Sequence, residues 1–258
     1  MIAGFSAGVA ILITIAVVPA TADPRSLWSV PNHGVLAARL VVEAELTRHR
    51  AFAPLSVAPD VTFGVAHGLA ASLHYSRTSQ GELGAGNGVC LLPPRETLGK
   101  RDTVCSESET GLALGGLAQI AEHVTAHAGV LVRSPGAFGL ELGLAVTARS
   151  GRYWAVVSPA VVVGLTGRSR GNRDRAQAPA YGGVAIGSGE LHLRSGVEGA
   201  FATFRDTYAI PFGAGASVAH NHVRLGADVS LDRALGPLNT RYWRTASAYL
   251  ETTMGGSR

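Results

Sequence analysis

The chain has 258 residues and a formal net charge of +4, with only 16% charged residues and 33 glycines. After the N-terminal stretch no long 3.6-residue apolar rhythm appears, which argues against an ordinary soluble enzyme. Lys100 is the only lysine, and the arginines are not clustered on one face and form no basic-aromatic recognition module, so nucleic-acid binding is not indicated.

Taken in order, residues 2–18 are almost continuously apolar and are followed by Pro19 and Ala20-Thr21-Ala22 before Asp23. An apolar run that barely reaches the ~18 residues of a membrane helix, ending in a small-x-small site, reads as a cleaved signal peptide over residues 1–22. Residues 23–32 then form a short periplasmic N-terminal segment, and 33–258 a single domain.

Val35–Thr47 carries an apolar residue at every even position. Leu36, Ala38, Leu40, Val42, Ala44 and Leu46 are apolar, and Arg39, Glu43, Glu45 and Thr47 lie between them. A period of two is a strand with one oily and one wet face. The pattern recurs at Ser56–Val65, Leu69–Tyr75, Leu112–Ile120, Val124–Arg133, Phe138–Thr147 and Val223–Asp232. In Leu69–Tyr75 the apolar face is Leu69, Ala71, Leu73 and Tyr75. Tyr153–Leu165 is apolar on both faces and interrupted by Pro159. Tyr181–Arg194 reads as one bulged strand, because Val184 and Ile186 have the opposite parity from Leu191 and Leu193. Val197–Phe204, Tyr208–Val218 and Arg241–Glu251 bring the count to about twelve, with ten and fourteen open. The stretch 117–128 has helical propensity, but Gly115-Gly116 and Gly129 bracket it.

The links alternate in length. Those after even strands are short: Ala66-His67-Gly68, Ala121-Glu122-His123, Ala148–Arg152, Ser195-Gly196 and Ala219–His222. Those after odd strands include Thr78–Glu109, Thr166–Pro179 and Asp232–Thr240. A soluble β-sandwich has no reason to sort loop length by parity, whereas a membrane barrel has short periplasmic turns and longer outer loops. With repeated hairpins such as Asp60–Ser76, residues 33–254 resemble Gram-negative outer-membrane β-barrels of the channel or porin-like kind. The resemblance is architectural and implies an all-β, antiparallel, up-and-down transmembrane barrel in the outer membrane, with lipid and the barrel-insertion machinery as partners. It carries over no functional residue. Many such proteins end on an aromatic residue; here Tyr249 and Met254 stand in its place.

Several residues are candidates for chemistry. By parity Arg39, Glu43, Glu45, Arg133, Glu141, Glu190, Arg194, Glu198, Arg224 and Asp228 face the lumen. They would serve either as a salt-bridged filling or as the charged wall of a passive narrow channel for ions or small solutes. His74 and His127 face the same way, beside Ser72, Ser76 and Thr125, but nothing fixes a triad, and Gly187-Ser188-Gly189 lacks the first glycine of a nucleophile elbow. An outer-membrane lipid hydrolase is the alternative reading, and a soluble secreted sandwich the third. His67, His123, His220 and His222 fall in predicted periplasmic turns without a third ligand at zinc spacing, so neither metal nor cofactor is expected.

Cys90 and Cys105 share the longest outer loop. In an oxidising compartment they are expected to form a disulfide, whose closure removes ~3 kcal/mol of denatured-state freedom. Maleimide labelling of intact cells should reach them only after reduction; free thiols in purified, non-reduced protein would refute the pairing.

Overall fold

A computed structural model describes residues 29–47, 50–75, 89–92, 111–133, 136–170, 172–237 and 244–255. Twelve strands follow one another: β1 Val35–Thr47, β2 Arg50–Ala66, β3 Leu69–His74, β4 Gly111–Ala121, β5 Val124–Arg133 and β6 Ala137–Ser150. β7 has two segments, Tyr153–Val157 and Ala160–Gly164, and is followed by β8 Arg175–Ile186, β9 Gly189–Ala200, β10 Ile210–His220, β11 Val223–Leu235 and β12 Arg244–Gly255. A four-residue ribbon, Val89–Leu92, lies against β2 beyond the end of β3.

Every strand pairs antiparallel with its sequence neighbours, and the sheet closes where β1 meets β12, from Val35↔Gly255 to Glu45↔Thr245. That closure excludes the sandwich. It also removes the free edge, so the wall satisfies its own backbone, as a sheet crossing hydrocarbon must. At Ser158-Pro159 the β7 ladder breaks because proline has no N–H to give. The break is bridged by hydrogen bonds from Leu144 N–H to the Pro159 carbonyl and from Ser158 N–H to the Pro179 carbonyl.

Burial alternates with the pleat. Glu141 is 5% exposed and the adjacent Leu142 is 61% exposed. Leu40, Phe63, Leu144, Leu193, Leu225, Val229 and Leu250 are likewise turned outward, giving an apolar exterior suited to lipid. The links after β2, β4, β6, β8 and β10 are two residues each: His67-Gly68, Glu122-His123, Gly151-Arg152, Gly187-Ser188 and Asn221-His222. The other rim carries the connections across 75–110, 165–174, 201–209 and 236–243. In the second of these, Arg168 grips Asp174 with two hydrogen bonds of 2.8 Å. The guanidinium, helped by the Gly164 N–H, holds the Asp174 carboxyl below its ordinary range. The pairing is therefore complete at neutral pH and is lost only as acid protonates that carboxyl.

Three expectations are corrected. Tyr181–Arg194 is not one bulged strand: Gly187, with a φ of 62°, and Ser188 form a tight turn between β8 and β9. A two-residue turn places Ile186 opposite Gly189 on the same face, so the parity must flip, as it does between Ser150 and Tyr153. Val197–Phe204 is then the end of β9 followed by a helical turn over Phe201–Thr207, and Ser195-Gly196 lies within a strand. The two errors compensate, leaving the count at twelve. Tyr75 does not join the outward face: the chain leaves the wall at His74, and Tyr75 packs on Val41, Ala58 and Tyr249. The 2.7 Å hydrogen bond from its N–H to Asp60 Oδ1 holds it there.

Leu40 sits mid-strand and outward. Leu40→Arg should cost ~2–4 kcal/mol at the bilayer midplane, read as a lower midpoint of chemical unfolding in lipid with loss of heat-modifiable gel migration. Leu40→Ala should be milder, and an unaffected Leu40→Arg barrel would mean the faces are reversed.

Candidate functional site

The interior is filled unevenly. Along β4 to β8 the inward side chains are mostly apolar: Leu117, Leu131, Ala145, Trp154, Val156 and Val162 are buried there, with Glu141 among them. Along β9, β11, β12, β1 and β2 the inward positions include most of the buried charges. Glu43, Asp60, Glu190, Arg194, Arg224 and Glu251 are each under 10% exposed, and Asp228 and Arg39 are partly buried.

Register sorts these residues into rows across the strands. In the first row Arg224 is the cross-strand partner of Glu251, Glu251 of Arg39, Arg39 of Asp60, and Asp60 of His74. Cationic and anionic residues thus alternate over four strands and end on an imidazole, an order that favours every neighbour contact. The Arg39 guanidinium also lies 4.1 Å from the centre of the Tyr249 ring. Tyr249 therefore faces inward and does not serve as an outward terminal aromatic, while Met254 is exposed.

The second row runs His192, Gly215, Asp228, Ser247, Glu43. His192 and Asp228 stand two strands apart, yet His192 Nε2 is 2.5 Å from Asp228 Oδ1. The contact passes over Gly215, where an added Cβ would overlap both side chains. The Nδ1 of His192 lies 3.6 Å from Glu190 Oε1, and Arg224 Nη1 lies 3.6 Å from Glu190 Oε2. Further toward the long loops Arg194 Nη2 donates to Ser230 Oγ at 2.5 Å, and Ser230 and Thr245 share a hydrogen bond of 2.6 Å. A string of polar contacts therefore climbs this wall from the tight turns, where Arg224 and Glu190 sit, toward the long loops.

Of the predicted lumen set, Arg39, Glu43, Arg224 and Asp228 stand in these rows, Glu190 and Arg194 adjoin them through contacts with His192, Arg224 and Ser230, and Glu141 stands apart on β6. Glu198 is half-buried near the loop end, where its backbone bridges Ala209. The side chains of Glu45 and Arg133 lie outside the described residues, as do Cys105, the side chain of Cys90 and the segment 1–22. His192, Asp60, Glu251 and the Ser230–Thr245 pair were not in the set. His192 had a signal, since it lies between Glu190 and Arg194 at the same parity.

One triplet looks like catalytic machinery. Ser158 Oγ lies 3.3 Å from His127 Nε2, and His127 Nδ1 lies 3.4 Å from Glu141 Oε1. A working nucleophile needs room for substrate and a place for an oxyanion, but Ser158 is 1% exposed. It serves here to fill the gap left by the β7 break. His67, His123 and His222 occupy tight turns, with His220 at the end of β10. No group of three metal-ligating side chains occurs among the described residues.

The fold has a counterpart among solved structures. The NanC porin aligns over 85% of this chain and all of its own, at 8% identity and a TM-score of 0.50. The chain has the fold of an outer-membrane barrel. The CymD monoaromatic hydrocarbon channel covers 88% of this chain and 90% of its own at a TM-score of 0.42 and 9% identity. A bacterial polysaccharide outer membrane secretin covers 88% and 100% at 0.40 and 10%. No protein-family profile matches the sequence, and neither does any curated protein.

If the Ser158 triplet is structural, the folded protein should not react with a phosphonylating serine probe. Ser158→Ala should then lose about 1 kcal/mol, one hydrogen bond's worth, measured by unfolding in detergent. Stoichiometric labelling at Ser158 would reverse that assignment.

Proposed function

We propose that this barrel is a narrow, passive outer-membrane channel for ions or small solutes, its path following the charged wall formed by β9, β11, β12, β1 and β2. The carrying observation is the polar string from Arg224 and Glu190 through His192 and Asp228 to Arg194 and Ser230. A barrel that needed only a solid interior has a cheaper solution, and β4–β8 use it for the most part: apolar side chains predominate there, with Thr125, Glu141, Ser158 and Gln177 as the buried polar exceptions. Taking ions out of water costs several kcal/mol each before pairing compensates. Charge kept along the height of one wall is therefore explained by transit.

The packing makes the path tight. Val156 and Val162 on β7 are wholly buried, so a solute would move by displacing the longer, polar side chains opposite. In this reading residues 1–22 direct export, the insertion machinery assembles the barrel, lipid surrounds it, and no cofactor takes part. The porin likeness supports the architecture, and the interior rows support the passage.

Reversal potentials in a planar bilayer across a salt gradient test this. Glu43→Gln with Asp228→Asn should shift selectivity toward anions, and Arg39→Gln with Arg224→Gln toward cations. A conducting parent whose reversal potential neither pair moves would take these residues off the path. A silent parent would leave the barrel a structural one.

A further inference from the structure

The chain does not enter β1 straight from the periplasm. Asn32–Val35 is a turn, closed by a 3.0 Å hydrogen bond from Val35 N–H to the Asn32 carbonyl, with Gly34 at a φ of 75°. It reverses the segment before it, and two contacts pin it to the end of β2. Gly34 N–H donates to the Gly64 carbonyl at 2.9 Å, and His33 Nδ1 lies 2.8 Å from the Val65 carbonyl.

Gly64 shows on which side of the wall the reversed segment lies. It has the parity of Ala58, Asp60 and Thr62, all buried inside the barrel, so its missing side chain points into the lumen. The position that a Cβ would take is occupied by the backbone of Asn32 and Pro31, whose carbonyl oxygens and carbon it would overlap. Backbone is not the yielding end of a flexible side chain, so any residue other than glycine would push the segment away. Ser29, Val30 and Pro31 are half-buried, although they belong to no strand.

We propose that Ser29–Asn32 is a strap folded into the periplasmic mouth and that its release opens the channel. The glycine at position 64 is the dock, and the turn at 32–35 is the hinge. This rests on the channel reading above and adds a gate to it. The strap lies at the same rim as Arg224 and Glu190, where the charged string ends beside two-residue turns.

Two readouts separate the strap from the channel. Val30→Cys, labelled with a membrane-impermeant maleimide in the folded barrel, reports docking without reference to conduction. Adding Gly64→Ala should speed that labelling roughly tenfold by shifting the docked population. Single-channel recording should show a larger open fraction for Gly64→Ala and for a variant lacking residues 23–32, which keeps the test alive if Gly64→Ala assembles poorly. Equal labelling with and without Gly64→Ala overturns the docked strap. Faster labelling with unchanged conductance overturns the gate and leaves the channel standing. Faster labelling with silence in the parent and both variants overturns the channel reading while the docked segment remains.

Discussion

The constraint beneath everything else is that hydrocarbon offers no partner to a peptide N–H or C=O. A strand that crosses it must be paired on both sides along its length, so the first and last strands must find each other. β1 and β12 do so over eleven residue pairs, from Val35↔Gly255 to Glu45↔Thr245. Where the ladder is broken, at Ser158-Pro159, the Ser158 N–H donates to the Pro179 carbonyl and the Pro159 carbonyl accepts from the Leu144 N–H. The tight turns at one rim follow from the same demand, since a two-residue link leaves almost no backbone unpaired.

Closure fixes the outside and leaves the inside open to choice. This barrel fills its interior in two ways at once, with apolar packing along β4–β8 and ionisable side chains on the opposite arc. Long side chains from neighbouring strands cannot meet across an intervening residue unless that residue is small. Glycines on β10 provide the opening: His192 reaches Asp228 over Gly215, and Arg194 reaches Ser230 across Gly213. Gly226 does the same for the Tyr249 ring, which would overlap any added Cβ. The high glycine content thus has a packing cause in the wall as well as a conformational one in the turns. Gly64 extends that cause to the mouth, where what approaches is backbone.

The two ends of the charged arc differ in what adjoins them. At the long-loop end the helical turn over Phe201–Thr207 connects β9 to β10. At the tight-turn end the N-terminal segment lies against the inner face of β2.

Local pattern was enough for much of this. The alternation in Val35–Thr47 determined which face of β1 is oily, because the pleat sends successive side chains to opposite sides. The parity of link lengths determined that the strands run up and down and which rim is tight. The same alternation placed Glu43, Glu141, Glu190 and Arg224 together on the inward parity. It failed where two local causes give one signal: the parity flip in Tyr181–Arg194 is equally a bulge or a two-residue turn, and only pairing with β10 and with the first segment of β7 distinguishes them. Tyr75 was misplaced because a strand's end is decided by what caps it, here the Asp60 carboxylate. Which inward residues share a level was never local. The Arg224–Glu251–Arg39–Asp60–His74 row and the meeting of His192 with Asp228 depend on register, and register accumulates every turn and bulge around a closed wall. The sequence by itself determined the faces of the strands; only closure decided which side chains confront one another inside.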